Sequence, residues 1–269
     1  TLLILISVFT WANFLFTFGS YVFFGMKADN RMLQELTTQA VHPEIIAAQA
    51  GAPIQMGTLQ VLKNSNGNYD FVIQAQNPNT DHVGIVSYYV AAGDDILAES
   101  HEKIFPEELK HFLILDVEYS GNPNQIEFFV KSQNWSRISR HNYPDWRSFY
   151  DTHYDFEFNN KSFTVSRQSA LSERLDLNDL EFEFHNQSAY NYWQVKLNLI
   201  LSSRGKIVGV NTYEANEVLS GELRPIKITW PGRLAAVSEI AIEPFVDILD
   251  SSSFIDFAGE DPNENLELE

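Results

Sequence analysis

The 269-residue sequence predicts a mainly β protein, with a single N-terminal transmembrane helix ahead of two tandem antiparallel β-sandwich domains. Three observations carry this expectation. Residues 1–26 (TLLILISVFTWANFLFTFGSYVFFGM) hold no charged side chain. From about residue 56 onward, short runs alternate apolar and polar residues, which is the period of strands, and Gly, Asn and Pro fall in the gaps between them. The same succession of runs then occurs a second time further along the chain.

A 26-residue helix reaches roughly 39 Å, enough to cross a ~30 Å hydrocarbon core even when tilted. The run is too long for the apolar part of a signal peptide, has no basic segment ahead of it and no small-x-small site before Lys27. A retained anchor is expected. The chain opens on Thr1, so a preceding segment is expected as well, and the charges after the helix (Lys27, Asp29, Arg31, Glu35) balance and set no orientation. Within the helix, Thr10, Asn13, Thr17 and Ser20 fall in an arc of about 80° at 100° per residue. A polar stripe facing lipid is unfavourable, so this is a candidate seam with another membrane protein or a second copy. Its structural alternative is that the hydroxyls bond back to their own helix.

Residues 27–55 read as a helical stalk. Asp29 or Asn30 can cap a helix carrying Met32, Leu33, Leu36 and Ala40 on one side, and Pro43 and Gly51 frame a second piece. The first sandwich is expected at 56–136. Leu59 and Val61 alternate with polar residues, Asn66-Gly67 makes a tight turn, and Tyr69, Phe71, Ile73 and Ala75 alternate again. Asn77-Pro78-Asn79 stops that strand. Further strands are expected over 85–90, 112–117 and 126–130, then a linker at 137–159, a second sandwich at 160–250 and an acidic tail at 251–269.

The repeat is specific. YDFVIQAQNPNTDHVGIVSYYV (69–90), IFPEELKHFLIL (104–115) and QIEFFV (125–130) are answered by LEFEFHNQSAYNYWQVKLNLIL (180–201), VLSGELRPIKIT (218–229) and SEIAIEP (238–244). Asn77 matches Asn186, Glu108 matches Glu222 and Ile126 matches Ile240, in order and at nearly constant offset. A spacing of roughly 110 residues is the size of an immunoglobulin-type sandwich, so two tandem Ig-like antiparallel β-sandwich domains are expected. The run of strand, Asn, turn, strand, hairpin, apolar-x-x-Glu and strand resembles the FxLYD-type and late-embryogenesis-type Ig-like domains of membrane-anchored bacterial surface proteins. QNPN (76–79) paired with FPEE (105–108) is similar to an uncharacterised bacterial arrangement of an anchor plus two such domains. The resemblance covers about 56–248. In the first unit Gly93-Asp94-Asp95 stands where that pattern has D-x-x-G. It implies a fold and a surface setting, and no catalytic residue comes with it.

Composition excludes several chemistries. The chain has no Cys, so it carries no disulfide, thiolate zinc site or cysteine nucleophile. Its 36 acidic against 18 basic residues (net −18) argue against nucleic-acid binding, which rests on Lys and Arg neutralising phosphates. No phosphate loop, G-x-S-x-G elbow or H-E-x-x-H occurs, and no cofactor is expected. The densest candidate for a metal is Asp151, His153 and Asp155, which would share one face of a strand. Its simpler reading is that Tyr150, Thr152, Tyr154 and Phe156 face inward and the polar trio meets water. Asn134, Asn160 and Asn186 each open an N-x-S triplet. Glu108 and Glu222 read as repeated turn residues that accept backbone N–H bonds rather than as an acid/base pair. Trp135, Trp146, Trp193 and Trp230 read as core.

The last 23 residues hold eight carboxylates and no basic residue. Phe254, Ile255 and Phe257 interrupt this stretch and are expected to dock as an apolar clip, with a solvated acidic end beyond them. The expected protein is a single-pass subunit of an envelope or cell-surface assembly, its bulk outside the cytoplasm. Its partners are the lipid bilayer and other membrane or envelope proteins or copies of itself. The alternative is a ligand-binding protein or hydrolase with a site built on 137–160 and the groove between domains.

Overall fold

The computed structural model describes residues 2–21, 32, 51–165, 177–232, 234 and 236–256. Most of the expected stalk and the tail from Phe257 onward lie outside them. The chain divides into two units, Thr1–Ala50 and Gly51–Glu269. In the first, helix α1 (Leu2–Ser20) carries no charge and is long and apolar enough to cross a membrane.

In the second unit, strands β1 (Gln55–Met56), β2 (Gln60–Lys63), β3 (Tyr69–Gln76), β4 (His82–Ala92), β5 (Asp95–Ile104), β6 (Leu109–Val117) and β7 (Ile126–Arg137) come first. Helix α2 (Trp146–His153) follows, then β8 (Phe156–Thr164), β9 (Leu177–Asn186), β10 (Tyr192–Ser203), β11 (Lys206–Val218), β12 (Leu223–Pro231) and β13 (Glu239–Phe245). The pairings are antiparallel. β3 lies between β6 and the short β1 and β2, while β4 lies between β5 and β7. The second half repeats this order: β9 lies between β12 and β8, and β10 between β11 and β13.

Alternation explains the layering, because a strand whose odd and even residues are both apolar must be covered on both faces. Phe71, Ile73 and Ala75 of β3 meet Val86, Tyr88 and Val90 of β4 in the first core. Leu180, Phe182 and Phe184 of β9 meet Val195, Leu197, Leu199 and Leu201 of β10 in the second. The remaining parity of β3, β6, β10 and β11 forms a third, smaller core of Val72, Leu113, Ile200 and Val210. The outer face of the β3 sheet thus packs on the outer face of the β10 sheet, and four sheets stack in series.

The turns follow local chemistry. Asn66-Gly67 closes β2 to β3 with Gly67 at φ 91° and the Asn64 side chain accepting the Asn66 and Asn68 N–H groups. Arg204 and Gly205 both take positive φ between β10 and β11, as a two-residue primed hairpin requires. β8 begins at Phe156, inside the segment expected to be a linker, and pairs with β9 from Asn186 onward. The linker expectation also missed α2.

Candidate functional site

The repeated Asn and Glu residues hold the two corners of the fold. Asn77 is fully buried, and its Nδ2 donates to the carbonyls of His82 (2.8 Å) and Phe105 (2.9 Å) while its Oδ1 accepts the Asn79 N–H (3.0 Å). Asn186, also fully buried, donates to Tyr190 O (2.9 Å) and Leu219 O (3.0 Å) and accepts the Ser188 N–H (3.1 Å). The backbone N–H of each Asn donates to the carbonyl of the matching Glu, at 3.0 Å in both cases. Glu108 accepts the Phe105 N–H (2.6 Å), and Glu222 accepts the Leu219 N–H (2.9 Å). One oxygen of each carboxylate is thus engaged in closing its turn.

The two carboxylates differ in environment. Burial pushes Glu108 above the ordinary carboxyl range, with Lys110 pulling the other way. At Glu222 burial also raises the value, but hydrogen bonds from Arg224 and the Leu219 N–H outweigh it and hold the carboxyl below that range.

Charged groups stitch the halves together across the third core. Glu102 takes Lys196 at 2.8 Å and the buried Lys110 at 3.4 Å. His111 approaches Glu243 through its Nδ1 (2.7 Å) and donates its backbone N–H to the same carboxylate (2.8 Å). Lys103 pairs with Asp247, and Asn198 Nδ2 donates to His111 O at 3.2 Å. Phe105, fully buried, leaves its own half to pack against Trp146, Tyr150, Tyr154 and Phe245.

Helix α2 replaces the strand on which Asp151, His153 and Asp155 would have shared one face. Asp145 caps it by accepting the Ser148 N–H (3.1 Å). Asp151 and His153 therefore lie about 200° apart on a helix rather than on one face of a strand, and Asp155 falls beyond its end. Asp151 pairs with Arg147 at 3.1 Å. His153 Nδ1–H donates to Phe149 O (2.8 Å), and its ring stacks on Tyr190 at 3.8 Å. Burial holds this imidazole below its usual value, the bond to Phe149 opposing. Among the described residues, no group of three or more His, Asp or Glu is arranged to hold a metal.

Beside His153 lies a groove of about 550 Å³, walled by Tyr143, Phe149, Tyr190, Ile248, Phe254 and Ile255. The segment after β13 builds one side of it. Asp250 caps a single turn over Ser251–Ser253, Phe254 bridges to Tyr192, and the Ile255 N–H donates to Asn191 O at 2.9 Å. Burial pushes the Tyr192 hydroxyl up to about 12. Phe257 lies outside the described residues.

A second cavity, about 290 Å³, opens between the halves where Asn64, Asp70 and Asp116 face Asn211 and Trp230. Asp116 sits in a bulge of β6 at φ 57°, and its N–H donates to Asp70 (2.8 Å). The amides of Asn64 and Asn68 hold Asp116 below the ordinary range, whereas burial raises Asp70. Gly209 leaves room for the Trp230 ring, since a Cβ there would lie 3.1 Å from it.

On α1, Thr10, Asn13, Thr17 and Ser20 are exposed, as is nearly every residue of the helix. Thr10 donates to Ile6 O (2.8 Å), and Thr17 donates to Asn13 O (2.9 Å) and more weakly to Asn13 Oδ1 (3.4 Å). Trp230 is core, Trp135 and Trp146 pack at the core margins, and Trp193, expected inside, is 51% exposed.

Neither a protein-family model nor a curated protein matches the chain. Among solved structures, the vicilin of Capsicum annuum is similar at 7% identity over 62% of this chain and 74% of that one, with a TM-score of 0.13. That likeness is too slight to bear on fold or function.

Proposed function

We propose that this is a membrane-anchored structural and interaction subunit: α1 holds two fused Ig-like sandwiches, similar to the FxLYD-type and late-embryogenesis-type modules, outside the cytoplasm as part of an envelope or cell-surface assembly. One observation carries the reading. The repeated side chains make matching hydrogen bonds at both corners: the Asn77 and Asn186 amides donate to the carbonyls of Phe105 and Leu219, whose N–H groups the Glu108 and Glu222 carboxylates accept. Side chains spent identically twice serve the fold, and what is left for function is surface.

The seam residues of α1 belong to the same proposal. Thr10 and Thr17 are partly satisfied within the helix, so Asn13 is the side chain with most to gain from a neighbour. The test is gentle solubilisation of the native membrane and identification of companions that remain in stoichiometric amounts. Asn13→Leu is expected to weaken that association, and a monodisperse wild-type monomer without companions would defeat the proposal. A second reading is favoured by the aromatic groove beside His153: binding of a small apolar ligand there, which ligand-observed NMR with the full chain would detect.

A further inference from the structure

The two corners are built alike but end differently. Glu108 accepts the N–H of Phe105, and Glu222 accepts the N–H of Leu219, so Phe105 and Leu219 occupy the same place in their halves. Phe105 is fully buried under α2, against Trp146, Tyr150 and Tyr154. Leu219 is 51% exposed. Two more large apolar residues are exposed at the same end: Leu223, which opens β12 just past Glu222, and Trp193, next to the Tyr192 that pairs with Val218. The aromatic groove adjoins them, because Asn191 in its wall accepts the Ser220 N–H at 2.7 Å.

We propose that this end of the second half docks an amphipathic helix of a partner protein, one with aromatic or aliphatic residues on one face and basic residues beside it. The proposal rests on the interaction-subunit reading above and names the partner's chemistry. Its first support is the interface within the chain: the element that covers the equivalent corner is a helix, and α2 presents Trp146 and Tyr150 to Phe105 from successive turns, with Tyr154 at its C-cap beside them. Its second is charge. Asp256 lines the groove, Asp250 caps the turn beside it, Glu217 precedes the Val218 that pairs with Tyr192, and the nearby Arg224 is engaged by Glu222 and by the carbonyls of Asn216 and Glu217. A helix with a basic flank complements that rim.

The test uses the full chain in a lipid nanodisc and, as probe, a synthetic peptide of residues 143–155, with an Asp151→Lys form to make its flank basic. Both peptides are expected to bind saturably and to shift the Leu219 methyl and Trp193 indole signals, the Lys form more tightly. Leu219→Asp should weaken binding about 10-fold or more, as loss of a central apolar anchor does, while Leu109→Asp, an equally exposed position in the first half, should leave it unchanged. Absent binding, or equal loss in both variants, would overturn the proposal. So would a wild-type dimer that Leu219→Asp dissolves, since the patch would then serve self-association. Companions that co-purify undiminished with Leu219→Asp would overturn this proposal alone, whereas a wild type without companions would overturn the reading beneath it.

Discussion

Glu108 and Glu222 make the same hydrogen bond and should respond to pH in opposite senses. Glu108 has its folded value raised by burial, so its contribution to stability is complete below the ordinary carboxyl value and is lost as pH rises through the folded one. Glu222 is held low by Arg224 against the effect of burial, so its contribution is present above the ordinary value and is lost as pH falls through the folded one. Glu108→Gln keeps an acceptor for the Phe105 N–H and sheds a charge that desolvation disfavours. It is expected to match or exceed wild-type stability at pH 7. Glu222→Gln should cost roughly 0.5–1 kcal/mol at neutral pH, modest because the pair is partly solvated, and the cost should vanish in acid. Urea midpoints at neutral and acid pH check both signs. At the neighbouring asparagines, Asn77→Ala and Asn186→Ala each strand buried carbonyls and an N–H. Losses of about 2–4 kcal/mol, similar at the two sites, are expected from thermal unfolding. A loss at one site only would mean that the corners are not equivalent.

At the scale of elements, the repeat was legible because strand period, Asn stop and apolar-x-x-Glu turn are local signals. The β10–β11 hairpin is longer than β4–β5, with strands of 12 and 13 residues against 11 and 10, and the turn from the matched Asn into β10 is one residue longer than that into β4, which together account for the drift in offset between matched residues. Helix α2 was misread because Tyr150, Thr152, Tyr154 and Phe156 alternate like a strand. Trp146, Phe149, Tyr150, His153 and Tyr154 also stand at i, i+3, i+4, i+7 and i+8, and Asp145 at the cap decides between the two periods. The groove was illegible for a different reason: Tyr143, Tyr190 and Phe254 come together only through the tertiary fold. Leu219 was within reach of the sequence, since it stands opposite Phe105 in the repeat. If the cap is what holds α2, Asp145→Ala should cost about 1 kcal/mol and speed amide exchange over 146–153, with Asp145→Ser restoring most of the loss. Unchanged exchange would shift the credit to the aromatic contacts with Phe105.

At the scale of the whole second unit, the question is whether its two halves unfold together. Tandem domains joined by a linker would melt separately, but here the first half contributes Val83, Phe105 and Ile138 to the core of the second. A third core of Val72, Leu113, Ile200 and Val210 joins their outer sheets. The charges around it cannot be removed singly without strain: Glu102→Ala would leave Lys110, with 4% of its side chain exposed, without its carboxylate partner, an arrangement that commonly costs about 3–5 kcal/mol. Apolar contact is the cleaner lever. Leu113→Asp puts a carboxylate against Val72, Ile200 and Val210, where an unpaired charge costs several kcal/mol unless the surfaces part and let water in. Parting of these two faces is the cheaper outcome, because the inner faces of β3 and β10 stay packed in the other two cores. In wild type, amide protection in β4 and in β10 should therefore disappear at one urea concentration. In Leu113→Asp the two should disappear at different concentrations, with far-UV circular dichroism in water unchanged. Two separate transitions already in the wild type would show that the stacked sheets contribute little coupling, and the halves would then behave as independent sandwiches after all.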